Sequence, residues 1–170
     1  MFGRRMGGDS SIGYDESWYF STAKGLENHP QLDQSISTDV CVIGAGYTGL
    51  SAAIELAERG FKVVVLESHK VGAGASGRNG GVLGMGQRKD QDELEDLLGI
   101  DTARKMWQIA SDANSLVRNR ITRYKIDCDL QNGELHAAHK EKYVQSMWDY
   151  NEKLLTDYDY SSRENVSREE

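Results

Sequence analysis

The sequence predicts an α/β fold that opens with parallel strands joined by a crossover helix and continues into a mainly helical or α+β region. Three observations carry this. Two short apolar runs read as strands, Asp39-Val40-Cys41-Val42-Ile43 as a fully buried parallel one and Val63-Val64-Val65-Leu66 as a second strand of the same sheet. The segment between them is a glycine turn followed by an amphipathic stretch of helical period. From residue 90 onward the apolar positions recur at three and four.

Taken in order, residues 1–35 are polar, and Trp18, Tyr19 and Phe20 are expected to anchor them as a docking arm. The first strand runs straight into Gly44-Ala45-Gly46-Tyr47-Thr48-Gly49, a G-x-G-x-x-G turn. Gly44 permits the tight turn, Gly46 lets backbone approach a diphosphate, and Gly49 lets the next helix pack on the sheet. A diphosphate would then meet the N–H groups and positive dipole end of that helix. Leu50, Ala53, Ile54 and Ala57 form its apolar stripe, and Gly60 is its stop. Lys62 opens the second strand, and Glu67 closes it 18 residues after Gly49. A carboxylate there accepts hydrogen bonds from the ribose hydroxyls of an adenosine and repels a 2′-phosphate, so NADP is not expected.

After Glu67 comes Ser68-His69-Lys70-Val71 and then seven glycines between Gly72 and Gly86. Such a run does not sustain a helix. It keeps backbone N–H groups against a flat, extended ligand, and within it Ser76, Arg78 and Asn79 offer a hydroxyl, a guanidinium and an amide to a diphosphate or a ring system. The alternative is a flexible spacer, in which Arg78 and Asn79 are out of place. An NAD-binding unit is the weaker nucleotide reading, because it would continue into another crossover helix rather than into glycines.

At these residues the chain resembles the start of the D-amino-acid oxidase superfamily of FAD-dependent amine oxidoreductases. The likeness rests on Val42 to Ala53, on Val64-Val65-Leu66-Glu67 and on Gly74 to Gly81. It continues through Asp101-Thr102-Ala103-Arg104, Arg118 to Ile121, Arg123-Tyr124 and Ile126 to Leu130, covering about residues 35 to 138. The Ala75-Ser76-Gly77-Arg78-Asn79-Gly80-Gly81 run and the Ile126-Asp127-Cys128-Asp129 segment are the narrower motifs, and they point to a branch whose substrates are gamma-glutamylputrescine-like amines. The resemblance implies an incomplete Rossmann-like FAD-binding domain of the glutathione-reductase type. It places the cofactor on Gly44, Ala45, Gly46, Tyr47, Thr48 and Gly49, on Glu67 and Ser68, and on Gly74, Ala75, Ser76, Gly77, Arg78, Asn79, Gly80 and Gly81. It implies C–N bond oxidation by hydride transfer to FAD, imine hydrolysis and reoxidation by oxygen, with oxygen-activating and substrate-binding residues beyond position 170. Relatives with this glycine run follow it with a Gln where this chain has Val82 to Gly86. Arg78 stands where some relatives carry a flavin-linking His, so FAD is expected to be bound without a covalent bond there.

The expected organisation is the arm at 1–35, the FAD-binding core and glycine segment at 36–89, and a helical region leading into a substrate domain at 90–170. In the last, Asp90 to Leu98 reads as a short acidic helix stopped by Gly99. Asp101 is expected to cap a longer helix bearing Ala103, Met106, Ala110, Ala113, Val117, Ile121 and Tyr124. Asn132-Gly133 reads as a hairpin turn between 128–131 and 134–138, with His136 and His139 near its end. Another helix is expected near 140–156, and Trp107 and Trp148 are read as packing residues. Ser167-Arg168-Glu169-Glu170 is a capping-box sequence at the chain's end. With 170 residues supporting about one domain, the expectation is the front portion of a longer protein.

The net charge is −7, yet residues 36–89 hold six basic against four acidic residues. The only basic third is thus the glycine-rich one, which suits an anionic cofactor, while the acidic remainder argues against nucleic acid or an anionic membrane surface. Two cysteines give no disulfide framework; Cys41 is expected in the core, Cys128 in core or surface, and the compartment is expected to be cytoplasmic. The four histidines have no metal spacing, and Arg4-Arg5 lacks the apolar run of an export signal. Two functions of different class remain: part of an FAD-dependent amine oxidase acting on a small amine, or a non-catalytic dinucleotide-binding module.

Overall fold

A computed structural model describes residues 17–25 and 28–167. Most of the expected arm, Arg4-Arg5 and residues 168–170 of the capping-box sequence lie outside them. The chain divides into two compact units between Val82 and Leu83, so the later glycines Gly84 and Gly86 belong to the second.

In the first unit, helix α1 (Trp18–Thr22) starts at Ser17, whose hydroxyl accepts the Phe20 N–H at 3.2 Å. Three consecutive aromatic residues cannot share one helical face, and here only Phe20 turns inward, with Lys70 Nζ 4.2 Å from its ring centre. Trp18 and Tyr19 stay exposed, which narrows the expected three-residue anchor to one.

Strands β1 (Val40–Ile43) and β2 (Val63–Leu66) pair in parallel, Val40 opposite Val63 and Ile43 opposite Leu66. The ladder runs one residue past β1, where the Gly44 N–H donates to the Leu66 carbonyl at 2.7 Å. Helix α2 (Tyr47–Glu58) makes the crossover, its buried Ala53 lying in the apolar stripe read from the sequence. Gly60, at φ +90°, lies in the left-handed region just beyond it.

The first strand is not fully buried, and Cys41 is not in the core: Cys41 and Ile43 are exposed, Ile43 to 78%. Strand side chains alternate between faces. Val42 faces α2, 3.3 Å from where a Gly49 Cβ would stand, so its neighbours point to the opposite face of a sheet that has two strands among the described residues.

The second unit is built from helices α3 (Gln91–Leu98), α4 (Ile100–Arg123) and α5 (Val144–Tyr158). The Asp90 carboxylate caps α3 through the Glu93 N–H at 2.9 Å, and Gly99 ends it at φ +79°. Leu94, Ala103, Trp107 and Leu154 form the core. Ala103 is wholly buried and its small side chain sits where α3 and α4 meet, while Trp107 packs against the rings of Tyr158 at 5.2 Å and Tyr160 at 5.3 Å.

Polar ties fasten α3 to α5. The Gln91 N–H donates to the Tyr150 hydroxyl at 3.0 Å, Lys153 Nζ donates to Glu95 at 2.6 Å and also to Asp92, and the Tyr158 hydroxyl donates to Glu95.

Two local expectations change here. Asp101 is not the cap of α4: the helix begins at Ile100, because the Gly99 carbonyl already accepts the Ala103 N–H at 3.0 Å. Asp101 instead lies in the first turn, where its charge favours the positive end of the dipole. The hairpin at 128–138 does not form; among the described residues of this unit there is no strand. Gly133 still bends the chain at φ +88°, but Leu135 is 81% exposed and the segment has no apolar face to bury, without which a two-stranded hairpin is marginal. Cys128 is exposed.

Candidate functional site

The glycine turn owes its shape to three glycines with different constraints. Gly44 sits at φ +99°, a conformation that L side chains rarely adopt. Gly49 leaves no room at all: a Cβ there would stand 2.0 Å from the Gly44 carbonyl oxygen. Gly46, the cap position of α2, faces Ser76, whose Oγ would lie 3.0 Å from an added Cβ. The third glycine therefore holds helix to strand, and the second holds open the approach to the helix N-terminus.

Around that turn the two strands bring Glu67 and the glycine segment together. The Ala45 N–H donates to Glu67 Oε2 at 2.7 Å, while Glu67 Oε1 accepts the His69 N–H at 3.0 Å and the Ser68 hydroxyl at 3.3 Å. The Ala45 carbonyl in turn accepts the Gly72 N–H at 3.0 Å. The hydrogen bond from Ala45, then that from His69, holds the Glu67 carboxyl below the usual carboxylate value against the upward push of desolvation. The charged form of Glu67 is thus the favoured one, which suits an acceptor for ribose hydroxyls.

Ser76 lies on a short 3-10 turn, Ala75–Gly77, and its Oγ accepts the Tyr47 N–H at 3.0 Å. That leaves its own O–H proton as a donor. Gly74 caps the turn, and its carbonyl accepts the Gly77 N–H. Arg78 Nε donates to the Ala73 carbonyl at 3.0 Å, and Asn79 Nδ2 donates to the carbonyls of Ala75 and Ser76 at 3.0 and 2.9 Å. Asn79 Oδ1 accepts the Gly81 N–H at 2.9 Å, with Gly81 at φ +69°. Arg78 and Asn79 thus fold their own loop. Thr48 lies exposed in the first turn of α2, and Gly80 is exposed with open space where a Cβ would go.

A cavity of about 580 Å³ opens here, lined by Gly46, Glu67, His69, Ser76 and Arg78 and by the segment Gly72 to Ala75. His69, Gly72 and Ala73 are additions to the residues singled out from the sequence. Gly72 had a signal in the glycine run, whereas His69 and Ala73 have none. The residues fit the adenosine and diphosphate half of a dinucleotide: a charged ribose acceptor, a helix N-terminus behind a side-chain-free glycine, and a guanidinium at the rim. Among the described residues no cluster of His, Cys, Asp and Glu is arranged to hold a metal, and His136 pairs with Glu134 at 2.9 Å instead.

A turn so built, on two parallel strands with a terminal carboxylate, defines a dinucleotide-binding α/β protein. The family model described as FAD dependent oxidoreductase matches residues 39–170, and the chain belongs to that family, whose cofactor is FAD. It is 44% identical over 134 residues to gamma-glutamylputrescine oxidoreductase of Escherichia coli, a match covering 79% of this chain and 32% of that protein. It is 38% identical over 146 residues to probable oxidoreductase OrdL of Haemophilus influenzae, covering 86% of this chain and 34% of that one. For probable oxidoreductase OrdL of Rhizobium meliloti the identity is 36% over 160 residues, covering 94% and 37%. The chain therefore spans about a third of the length of these relatives. No solved structure gives a significant match.

Proposed function

We propose that this chain supplies the adenosine and diphosphate part of the FAD site in an oxidoreductase that acts on the C–N bond of a gamma-glutamylputrescine-like amine. The observation that carries the cofactor half is the meeting of Glu67 and Gly46 in the lining of one cavity, with Glu67 tied to the Ala45 N–H behind it. The substrate half is supported by the 44% identity to gamma-glutamylputrescine oxidoreductase. FAD, when bound, would supply the two-electron acceptor for oxidising the C–N bond to an imine that water hydrolyses, with oxygen as the final electron acceptor. The chain's own residues bind and orient. Glu67 accepts from the ribose, the first turn of α2 and the Ser76 hydroxyl face the diphosphate, and Arg78 balances its charge. No covalent link to FAD is part of this reading. The two free thiols and the acidic surface suit a cytoplasmic enzyme with no nucleic acid or membrane partner; among the described residues no helix is long and apolar enough to cross a membrane.

A second reading, a binding module without catalysis of its own, is favoured by Arg78 and Asn79, whose side chains bond to their own loop. One experiment separates the two. Protein from the complete reading frame is purified, its visible spectrum recorded, and oxygen uptake measured with gamma-glutamylputrescine and with simple amines. A yellow protein that consumes oxygen with the first supports the amine oxidase; a yellow protein inert to every amine supports the module; a colourless one whose melting temperature rises with NAD refutes the oxidase and the FAD site.

A further inference from the structure

Both peptide groups of Ala45 are held by the segment that follows β2: its N–H by Glu67 Oε2 at 2.7 Å, its carbonyl by the Gly72 N–H at 3.0 Å. Ala45 is only 2% exposed, so an N–H left without an acceptor there would be a costly buried donor. Glu67 is itself fixed from the other side by the His69 N–H and the Ser68 hydroxyl. We infer that Glu67 has a second task besides meeting a ribose: it is the clasp that sets the geometry of the glycine turn, and through that turn it tunes the affinity for a diphosphate that it does not touch. This deepens the nucleotide-site reading and rests on it. Glu67 is in this respect a positioning residue acting through Ala45.

The geometry makes the two tasks separable. Hydrogen bonds from the chain's own Ala45, His69 and Ser68 donors orient the carboxylate, and ribose hydroxyls would add to them. A ligand without those hydroxyls therefore feels the clasp alone.

The test is a double-mutant cycle between residue and ligand. ADP and 2′,3′-dideoxy-ADP are titrated into the wild-type protein, Glu67→Ala and Glu67→Gln, and amide hydrogen exchange is followed at Ala45 and in both strands. Glu67→Ala is expected to weaken dideoxy-ADP by about tenfold, the scale of a lost hydrogen bond to a charged group. Glu67→Gln, which keeps a carbonyl for the Ala45 N–H, recovers most of that loss. Exchange at Ala45 speeds by about tenfold in Glu67→Ala while the strand amides hold. Equal dideoxy-ADP affinity in wild type and Glu67→Ala overturns the inference, as does exchange that quickens equally across the strands. Should Glu67→Ala not fold, Glu67→Gln decides: Ala45 exchange about threefold faster upholds the clasp, because a neutral acceptor is the weaker one, and unchanged exchange overturns it. If the wild type binds neither nucleotide, the nucleotide-site reading fails, and exchange at Ala45 still decides whether Glu67 clasps the turn.

Discussion

Gly49 on α2 faces Gly44 at the end of β1 so closely that a methyl group on the former would stand 2.0 Å from the carbonyl oxygen of the latter. Backbone, not a flexible side chain, is what it would strike, so the helix must lift from the strand. Gly49→Ala is expected to destabilise the first unit by about 3 kcal/mol or more, at the upper end of overpacking costs. Chemical denaturation of the variant against wild type measures this, and a loss below about 0.5 kcal/mol would contradict the packing described.

Gly46 is the opposite case. An added Cβ meets only the Ser76 hydroxyl, at 3.0 Å, and that side chain can rotate away. Gly46→Ala is expected to cost less than about 1 kcal/mol of stability while weakening FAD by more than tenfold, and Gly46→Val weakens it further. Melting curves and flavin content of the purified variants separate the two effects.

Acid should weaken both units through carboxylates. The Glu67 carboxyl is lowered chiefly by the Ala45 and His69 N–H groups. For Glu95, desolvation pushes upward, but hydrogen bonds from Lys153 and Tyr158 and the Lys153 charge outweigh it. A group lowered in the folded state adds stability above its unfolded value, here 4.5, and loses it as pH falls through the folded value. Melting temperature is therefore expected to be flat above about pH 6 and to fall below about pH 4.5. Glu67→Gln should shrink that fall, which is checked by melting both proteins from pH 7 to pH 3.

Lys153 offers a sharper pH signature. Its side chain is 24% exposed and answers two carboxylates, Asp92 and Glu95, which raise its pKa against the downward push of desolvation. Lys153→Met leaves those carboxylates facing each other without the cation that bridges them. A loss of about 1–3 kcal/mol is expected at pH 7, between the surface and buried limits for such pairs. The loss should diminish as pH falls and Glu95 takes up a proton. A penalty independent of pH would mean that the methylene stem of Lys153, rather than its charge, fastens α5.

The elements that local chemistry dictates were legible in the sequence to within a residue or so. Val40–Ile43, Tyr47–Glu58 and Gln91–Leu98 each carry their own period and stop signals, so nothing distant had to be known. What depended on long-range packing was not. The exposure of Cys41 follows from which face of the sheet is covered, and the missing hairpin at 128–138 follows from the absence of a face to bury, although Asn132-Gly133 satisfies the local rule. The tie between Ala45 and Glu67 needs the register Val40 to Val63, and that between Lys153 and Glu95 spans 58 positions. For the site, the residue types were readable, but Arg78 and Asn79 serving their own loop was not, because a donor's partner is chosen by geometry.

The ring cluster of the second unit gives the protein an intrinsic optical reporter. Trp107 is 8% exposed between Tyr158 and Tyr160, whereas Trp18 is 76% and Trp148 40% exposed. A dry indole emits at shorter wavelength than a wetted one and is shielded from aqueous quenchers such as iodide. The blue, quencher-resistant fraction of the fluorescence therefore belongs to Trp107, and its loss on titration with denaturant times the parting of α5 from α4 without any label being attached.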